Sequence, residues 1–160
     1  MNYWRYRAGN TKPDGSDISE ELYYNWRKDR EQGVMNQKQV IIGDVRQYKT
    51  KAEVKAMRPD HSDRAGNAWD LCNTMEIGDI IFSVGKGDEV LGVGIVTGDY
   101  YFDKNDGFRY HKRPVQWFLE THSVHHGLQQ GSLSRFNLKN ENAKAGLENL
   151  LSIYGKFLKK

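Results

Sequence analysis

The sequence predicts an α+β domain, a small mixed β-barrel of five or six strands flanked by three or four helices. Three observations predict it. Two apolar strand segments, IIFSV (80–84) and VLGVGIV (90–96), flank the tight-turn run GKGDE (85–89), the pattern of a hairpin. Strand signals cluster in the second half of the chain without intervening crossover helices, which argues against a βαβ fold. Finally, apolar residues recur at helical spacing in Ala68, Leu71, Cys72 and Met75, and again in Leu147, Leu150, Leu151, Tyr154, Phe157 and Leu158.

Each element follows in order. Tyr3 to Ala8 (YWRYRA) alternates aromatic and basic residues, as a first strand with one buried face does. If Trp4 is core, Arg5 and Arg7 face the other side. Asn10 to Ser16 (NTKPDGS) is turn chemistry. A helix capped by Asp17 or Ser19 carries Leu22, Tyr23, Trp26 and Arg30 at helical spacing and stops at Gly33. Gln39 to Val45 (QVIIGDV) reads as a short buried strand interrupted by glycine, and 48–57 as a basic, helix-permissive stretch. After the 68–75 helix and the hairpin, GDYYFD (98–103) continues or bends the second strand. Arg109 to Glu120 (RYHKRPVQWFLE) is a further strand, with Val115, Trp117 and Leu119 on one face and Pro114 marking an edge or bulge. Two glycines inside the hairpin's return strand, Gly92 and Gly94, predict coiling or close packing.

The 160 residues (18.5 kDa) suit one domain over 1–160, whether whole or the N-terminal piece of a longer protein. With 38% apolar and 28% charged residues the chain is expected to be folded and soluble. No apolar run approaches the roughly 18 residues of a membrane span, and MNYWRYRAG is unlike a signal peptide. A single cysteine, Cys72, excludes an intrachain disulfide framework and a cysteine-rich zinc module. The cytoplasm is therefore the expected compartment, with no membrane partner.

Charge is segregated. Residues 1–58 carry 12 Lys/Arg against 8 Asp/Glu, residues 59–107 carry 3 against 10, and residues 108–160 carry 9 against 3. Such a pattern either builds a basic face suited to a polyanion or is simply solvated charge. Aromatic residues, 12% of the chain, repeatedly sit beside cations, as in Tyr3-Trp4-Arg5-Tyr6-Arg7 and Arg46-Gln47-Tyr48-Lys49. Stacking an unpaired base on a ring contributes about 1–3 kcal/mol while cations hold its phosphates, so this composition suits a nucleic-acid groove. Trp26 and Trp117 share apolar faces with their neighbours and read as core.

Enzyme signatures are scarce: no GxxxxGK[ST], no GxGxxG after a strand, no HExxH and no GxSxG occurs. The cluster His122, His125 and His126 (HSVHH) has ligand-like spacing but lacks carboxylate or thiolate partners beyond Glu120. His61 between Asp60 and Asp63 reads as a turn before a helix, and Cys72 as a buried, inert thiol. No metal, cofactor or catalytic residue is expected.

The opening YWRYRAGN, the block AWDLCNTMEIGDIIFSVGKGDEVLGVGIVTGDYYFD and the later YHKRPVQWF together resemble the PUA-like superfamily. Within it they look like the EVE/YTH-type specificity domain of McrB-like modification-dependent restriction proteins, over roughly residues 3–118. The resemblance implies a six-stranded barrel whose open end receives a flipped modified base, N6-methyladenine or 5-methylcytosine for example, between aromatic walls. The implied partners are nucleic acid, modified DNA ahead of RNA, and an AAA+ motor with a nuclease subunit. Motif by motif, Arg7, Gly9 and Asn10 border the pocket, Gly43, Asp44 and Val45 form a wall, and Trp4, Tyr6 or Tyr48 supplies stacking. Related domains place Trp where this chain has Asp44, so here a carboxylate is expected to read an exocyclic amine, cytosine N4 above all. The alternative is a plain turn residue after Gly43. Arg46, Lys49, Lys51, Lys55 and Arg58, joined by Lys112 and Arg113, are the expected phosphate ligands. A free-standing RNA-binding module and an ASCH-like enzyme are the other readings that fit this fold.

Overall fold

The structure, a computed structural model, describes residues 1–8, 19–37, 43–106, 110–127 and 132–159. One mixed sheet organises them. Strands β1 (Tyr3–Tyr6), β2 (Val34–Gln37), β3 (Ile80–Val84), β4 (Glu89–Val96), β6 (His111–Ser123) and β7 (Leu133–Arg135) lie in the order β2-β6-β4-β3-β1-β7, and the short β5 (Tyr101–Phe102) pairs with β6. Among the described residues only β1 and β3 run parallel; the other pairs are antiparallel. The sheet curls into a half-barrel, in agreement with the expected mixed α+β architecture but with seven strands.

Local chemistry accounts for the helices. Helix α1 (Ser19–Gln32) ends at Gly33, whose φ of 63° suits a residue without Cβ and whose N–H bonds the Arg30 carbonyl at 3.1 Å. In α2 (Lys51–Met57), Thr50 caps the Glu53 amide while Glu53 reaches back to the Lys49 amide, at 3.2 and 3.1 Å. Helix α3 (Ser62–Trp69) runs into a π-turn, Asp70–Thr74. The last helix, α4 (Glu141–Tyr154), is capped by Asn140, which accepts from the Ala143 amide at 3.0 Å.

Two apolar layers cover the sheet. Trp4, Tyr6, Trp26, Met35, Leu71, Ile81, Leu91 and Val115 form the layer with α1–α3, while Phe82, Val93, Leu147, Leu150 and Tyr154 form the layer under α4. Strand β3 is buried along its whole length, which explains why IIFSV shows no polar alternation. Glycines permit close approach where the layers meet: a Cβ at Gly92 would lie 2.5 Å from the Phe118 carbonyl oxygen, and one at Gly146 would run into the backbone of His126.

Several expectations need correction. A strand the sequence did not mark lies at Val34–Gln37, because α1 stops at Gly33 and the chain turns directly into pairing with β6. Residues 43–45 form a turn that enters a 3-10 turn, Val45–Gln47, and 38–42 lie outside the described residues. Pro114 sits inside the sheet, at the point where β6 exchanges pairing with β2 for pairing with β4. Strand β7, three residues long, carries no strand signal in the sequence.

Candidate nucleic-acid interface

Trp4 and Tyr6 are not base-stacking surfaces. Each is 1% exposed. The Trp4 indole N–H donates to Asp79 at 2.9 Å, and Tyr6 stacks on Trp117 with its hydroxyl donating to Asp29. Because Trp4 faces that core, Arg5 turns to the opposite layer, where it lies 3.9 Å from the centre of the Phe136 ring and donates to the His126 carbonyl. Arg7 leaves β1 with its N–H on the Ser132 carbonyl at 2.9 Å, and its guanidinium Nε is buried without a partner. Gly9 and Asn10 lie outside the described residues.

The Gly43–Tyr48 wall is tightly tied. Gly43 has φ 66°, and Asp44 caps the following 3-10 turn through the Arg46 amide at 3.0 Å. The Arg46 guanidinium also grips both Asp44 oxygens, with Nε 2.8 Å from Oδ2. Those hydrogen bonds hold the Asp44 carboxyl below the usual carboxylate range. An amine seeking Asp44 must displace Arg46. Val45 is fully buried, whereas Tyr48 and Trp69 are half-buried against the same core. Cys72 is half-buried nearby, and burial pushes its thiol up to about 11, so it carries no thiolate near neutral pH.

Lys112 and Arg113 are corrected outright. They are 2% and 5% exposed. Lys112 reaches Asp103, Asp106 and Gln32 at 3.0, 2.5 and 3.1 Å. Arg113 donates to the Leu71, Cys72 and Gly98 carbonyls at 2.8, 3.0 and 3.0 Å, capping the open carbonyls of the π-turn. Sequence alone reads both as surface charge, yet a central strand turns them inward.

The other cations stay outside. Arg58 pairs with Asp60 at 3.3 Å and Lys51 with Asp70 at 2.8 Å. Lys49 and Lys55 have no acidic partner among the described residues. The stems of Lys51 and Lys55 cross α3 side by side at Gly66. Lys51 then borders a groove of about 690 Å³ between the π-turn and the segment after β7, lined also by Asp70, Thr74, Arg135, Leu138 and Lys139. Arg135 and Lys139 are exposed, and their side chains make no ion pair among the described residues. Sequence reasoning missed both, although the basic balance of residues 108–160 pointed to that region.

The histidines do not converge. His122 meets Glu120 at 2.7 Å, His125 meets Asp88 at 3.3 Å, and buried His126 donates from Nε2 to the Gly87 carbonyl at 3.1 Å. Among the described residues no group of three or more His, Cys, Asp or Glu side chains is placed to hold a metal.

Residues 16–138 match the family described as Domain of unknown function (DUF8426). The chain belongs to DUF8426. No curated protein matches it. The DUF8426 chain is similar to the structure of the YTH domain-containing protein mmi1 with RNA, at 8% identity and TM-score 0.47, covering 99% of this chain and 87% of that one. It is also similar to a protein of Agrobacterium tumefaciens, at 14% identity and TM-score 0.40, covering 91% and 93%. For a protein of Rhodopseudomonas palustris the values are 13% and 0.33, covering 74% and 62%. All three scores lie below 0.5, so the architecture of this DUF8426 chain rests on its own sheet and helices. No helix among the described residues is long and apolar enough to cross a membrane.

His126 sets one expected property of this DUF8426 domain. Burial lowers the imidazole below the usual histidine value, with Arg5 adding repulsion, while its Nδ1 is buried without a partner. The unfolded chain therefore takes up the proton first, and stability falls as pH drops below about 6.5. Urea midpoints should fall between pH 7 and 5.5, and His126→Gln should flatten that part of the slope.

Proposed function

We propose that this DUF8426 chain is a nucleic-acid-binding specificity domain. It takes a flipped, methylated base of DNA, and cleavage belongs to the AAA+ motor and nuclease of a McrB-like restriction system in the cytoplasm. The observation that carries the reading is the groove beside Lys51, where Arg135 and Lys139 add cations to the Lys51–Lys55 face of α2. Its volume, about 690 Å³, is that of a ligand site. Three cations border it against Asp70, whose carboxylate Lys51 and Thr74 already hold at 2.8 and 2.9 Å. Phosphate binding therefore requires Lys51 to exchange one anion for another, whereas Arg135 and Lys139 are ready to receive it.

Base extraction costs a few kcal/mol, offset by stacking and edge hydrogen bonds. With Trp4 and Tyr6 committed to the core, Tyr48, which follows the Asp44 turn in sequence, and Trp69, both partly buried against the same core, are the rings proposed for stacking. Arg7, with its unmet Nε donor, is the proposed polar contact at the exit of β1.

A binding panel tests the proposal: matched DNA and RNA oligonucleotides carrying unmodified bases, N6-methyladenine, 5-methylcytosine or 5-hydroxymethylcytosine. Modification-dependent DNA binding is the expected result. RNA binding indifferent to modification replaces it with the RNA-module reading, and turnover of an oligonucleotide replaces it with an enzyme. In the same assay Lys51→Ala with Lys55→Ala should weaken every sequence. The slope of log K against log salt should fall by about 0.7–0.9 per lost phosphate contact. An unchanged slope returns these lysines to a solvated helix face.

A further inference from the structure

Strand β6 pairs with β2 only over His111–Pro114 and with β4 over Val115–Ser123. From residue 116 onward, its β2-side edge has no neighbouring strand among the described residues. The Val115 N–H points to that side, where it bonds the Gly33 carbonyl at 2.8 Å. Backbone groups alternate along a strand, so Trp117 and Leu119 turn their N–H and C=O the same way, past the end of β2. Proline at 114 opens this free stretch, and the bulge opposite Val90–Gly92 closes it. The result is a short edge of regular geometry.

A groove of about 610 Å³ runs beside it, lined by Trp26, Arg27 and Arg30 of α1 and by Leu91, Leu119 and Thr121. Its floor is apolar and rigid: Trp26 meets Trp117 edge-to-face at 4.6 Å, and the Trp117 indole N–H bonds the Val34 carbonyl at 3.0 Å. Leu119 is 43% exposed in it. Arg27 and Arg30 are exposed and make no ion pair among the described residues. The acidic lining residue, Glu120, is held by His122 and Lys156, each at 2.7 Å.

We propose that this edge receives an extended acidic peptide from a partner protein as an added strand. Its backbone pairs with Trp117 and Leu119, and the carboxylates on its α1-facing side meet Arg27 and Arg30, their methylene stems lying over Leu119. Charge selects this occupant. A second copy docked edge to edge about a twofold axis brings the same arginines from both protomers to one seam, where they repel. A nucleic-acid backbone offers phosphates to the arginines but no amide ladder to the strand edge. This surface is independent of the groove beside Lys51, since β6 lies three strands from β1 in the sheet.

Fluorescence anisotropy on the full chain tests it with three labelled heptapeptides. One alternates valine and glutamate, one alternates valine and lysine, and one is the acidic peptide N-methylated on alternate backbone nitrogens. The acidic peptide should bind, and the lysine and N-methylated peptides should bind at least tenfold more weakly. Arg27→Glu with Arg30→Glu should weaken the acidic peptide at least tenfold, with an unchanged thermal unfolding midpoint. Absence of acidic-peptide binding, equal binding of the lysine peptide, or indifference to N-methylation overturns the proposal. So does a concentration-dependent dimer abolished by the double variant, which makes the edge a self-association surface. Loss of oligonucleotide rather than peptide binding in that variant assigns the groove to nucleic acid instead.

Discussion

Asp79→Ala is expected to lower the unfolding free energy by about 3–5 kcal/mol, the range for stripping a buried charged acceptor from several donors. Asp79 is 1% exposed and accepts from the Asn2 amide at 2.7 Å, the Trp4 indole N–H at 2.9 Å and the Glu76 amide at 3.1 Å. Its carboxylate thus joins the start of β1, the Trp4 indole of the first core layer and the turn into β3. Alanine leaves those donors buried beside a small void. Asp79→Asn keeps one acceptor oxygen and should lose less. Urea unfolding of the three proteins checks the order, and a loss below about 1 kcal/mol for alanine would falsify the pinning role.

Lys112→Ala is expected to remove about 2–4 kcal/mol of stability while leaving the salt dependence of nucleic-acid binding unchanged. The ammonium is 3% exposed between Asp103 and Asp106, which are 28% and 12% exposed. Without it, two carboxylates lose the cation between them, while Lys28 stays 2.9 Å from Asp106. The hydrogen bonds from Lys112 hold the Asp103 carboxyl below its ordinary value, so acid should weaken this cluster. Denaturation together with a salt titration separates the two possible roles. A phosphate ligand would flatten the salt slope at little loss of stability, the reverse of what is expected.

These two residues also mark how far the sequence could be read. The hairpin of β3 and β4, the stop of α1 at Gly33 and the apolar face of α4 depend on local periodicity and on turn glycines, and all three stand where the pattern put them. Such features are legible because their causes lie within a few residues. Strand β7 was not legible: three residues carry no period, and only its pairing with Tyr6, Arg5 and Trp4 makes it a strand. The expected strand at 39–45 ends in a turn at 43–45, and its residues 39–42 lie outside the described residues; a short apolar run does not state its partner.

For the candidate site the division is sharper. Composition and charge segregation determined that the chain carries cations in quantity near its first and last thirds, and that its aromatics sit among them. Which cations face water was decided by tertiary structure. Lys112 and Arg113 lie in β6, where partly buried carboxylates and open π-turn carbonyls compensate their charge. Arg135 and Lys139, unremarkable in sequence, come beside Lys51 because β7 pairs with β1. The aromatic set divided the same way, with Trp4 and Tyr6 drawn inward by Asp79 and Asp29 and Tyr48 and Trp69 left half-exposed. A residue's type and spacing state what it can bind; only long-range pairing, which brings distant segments into one layer, states what it is already bound to.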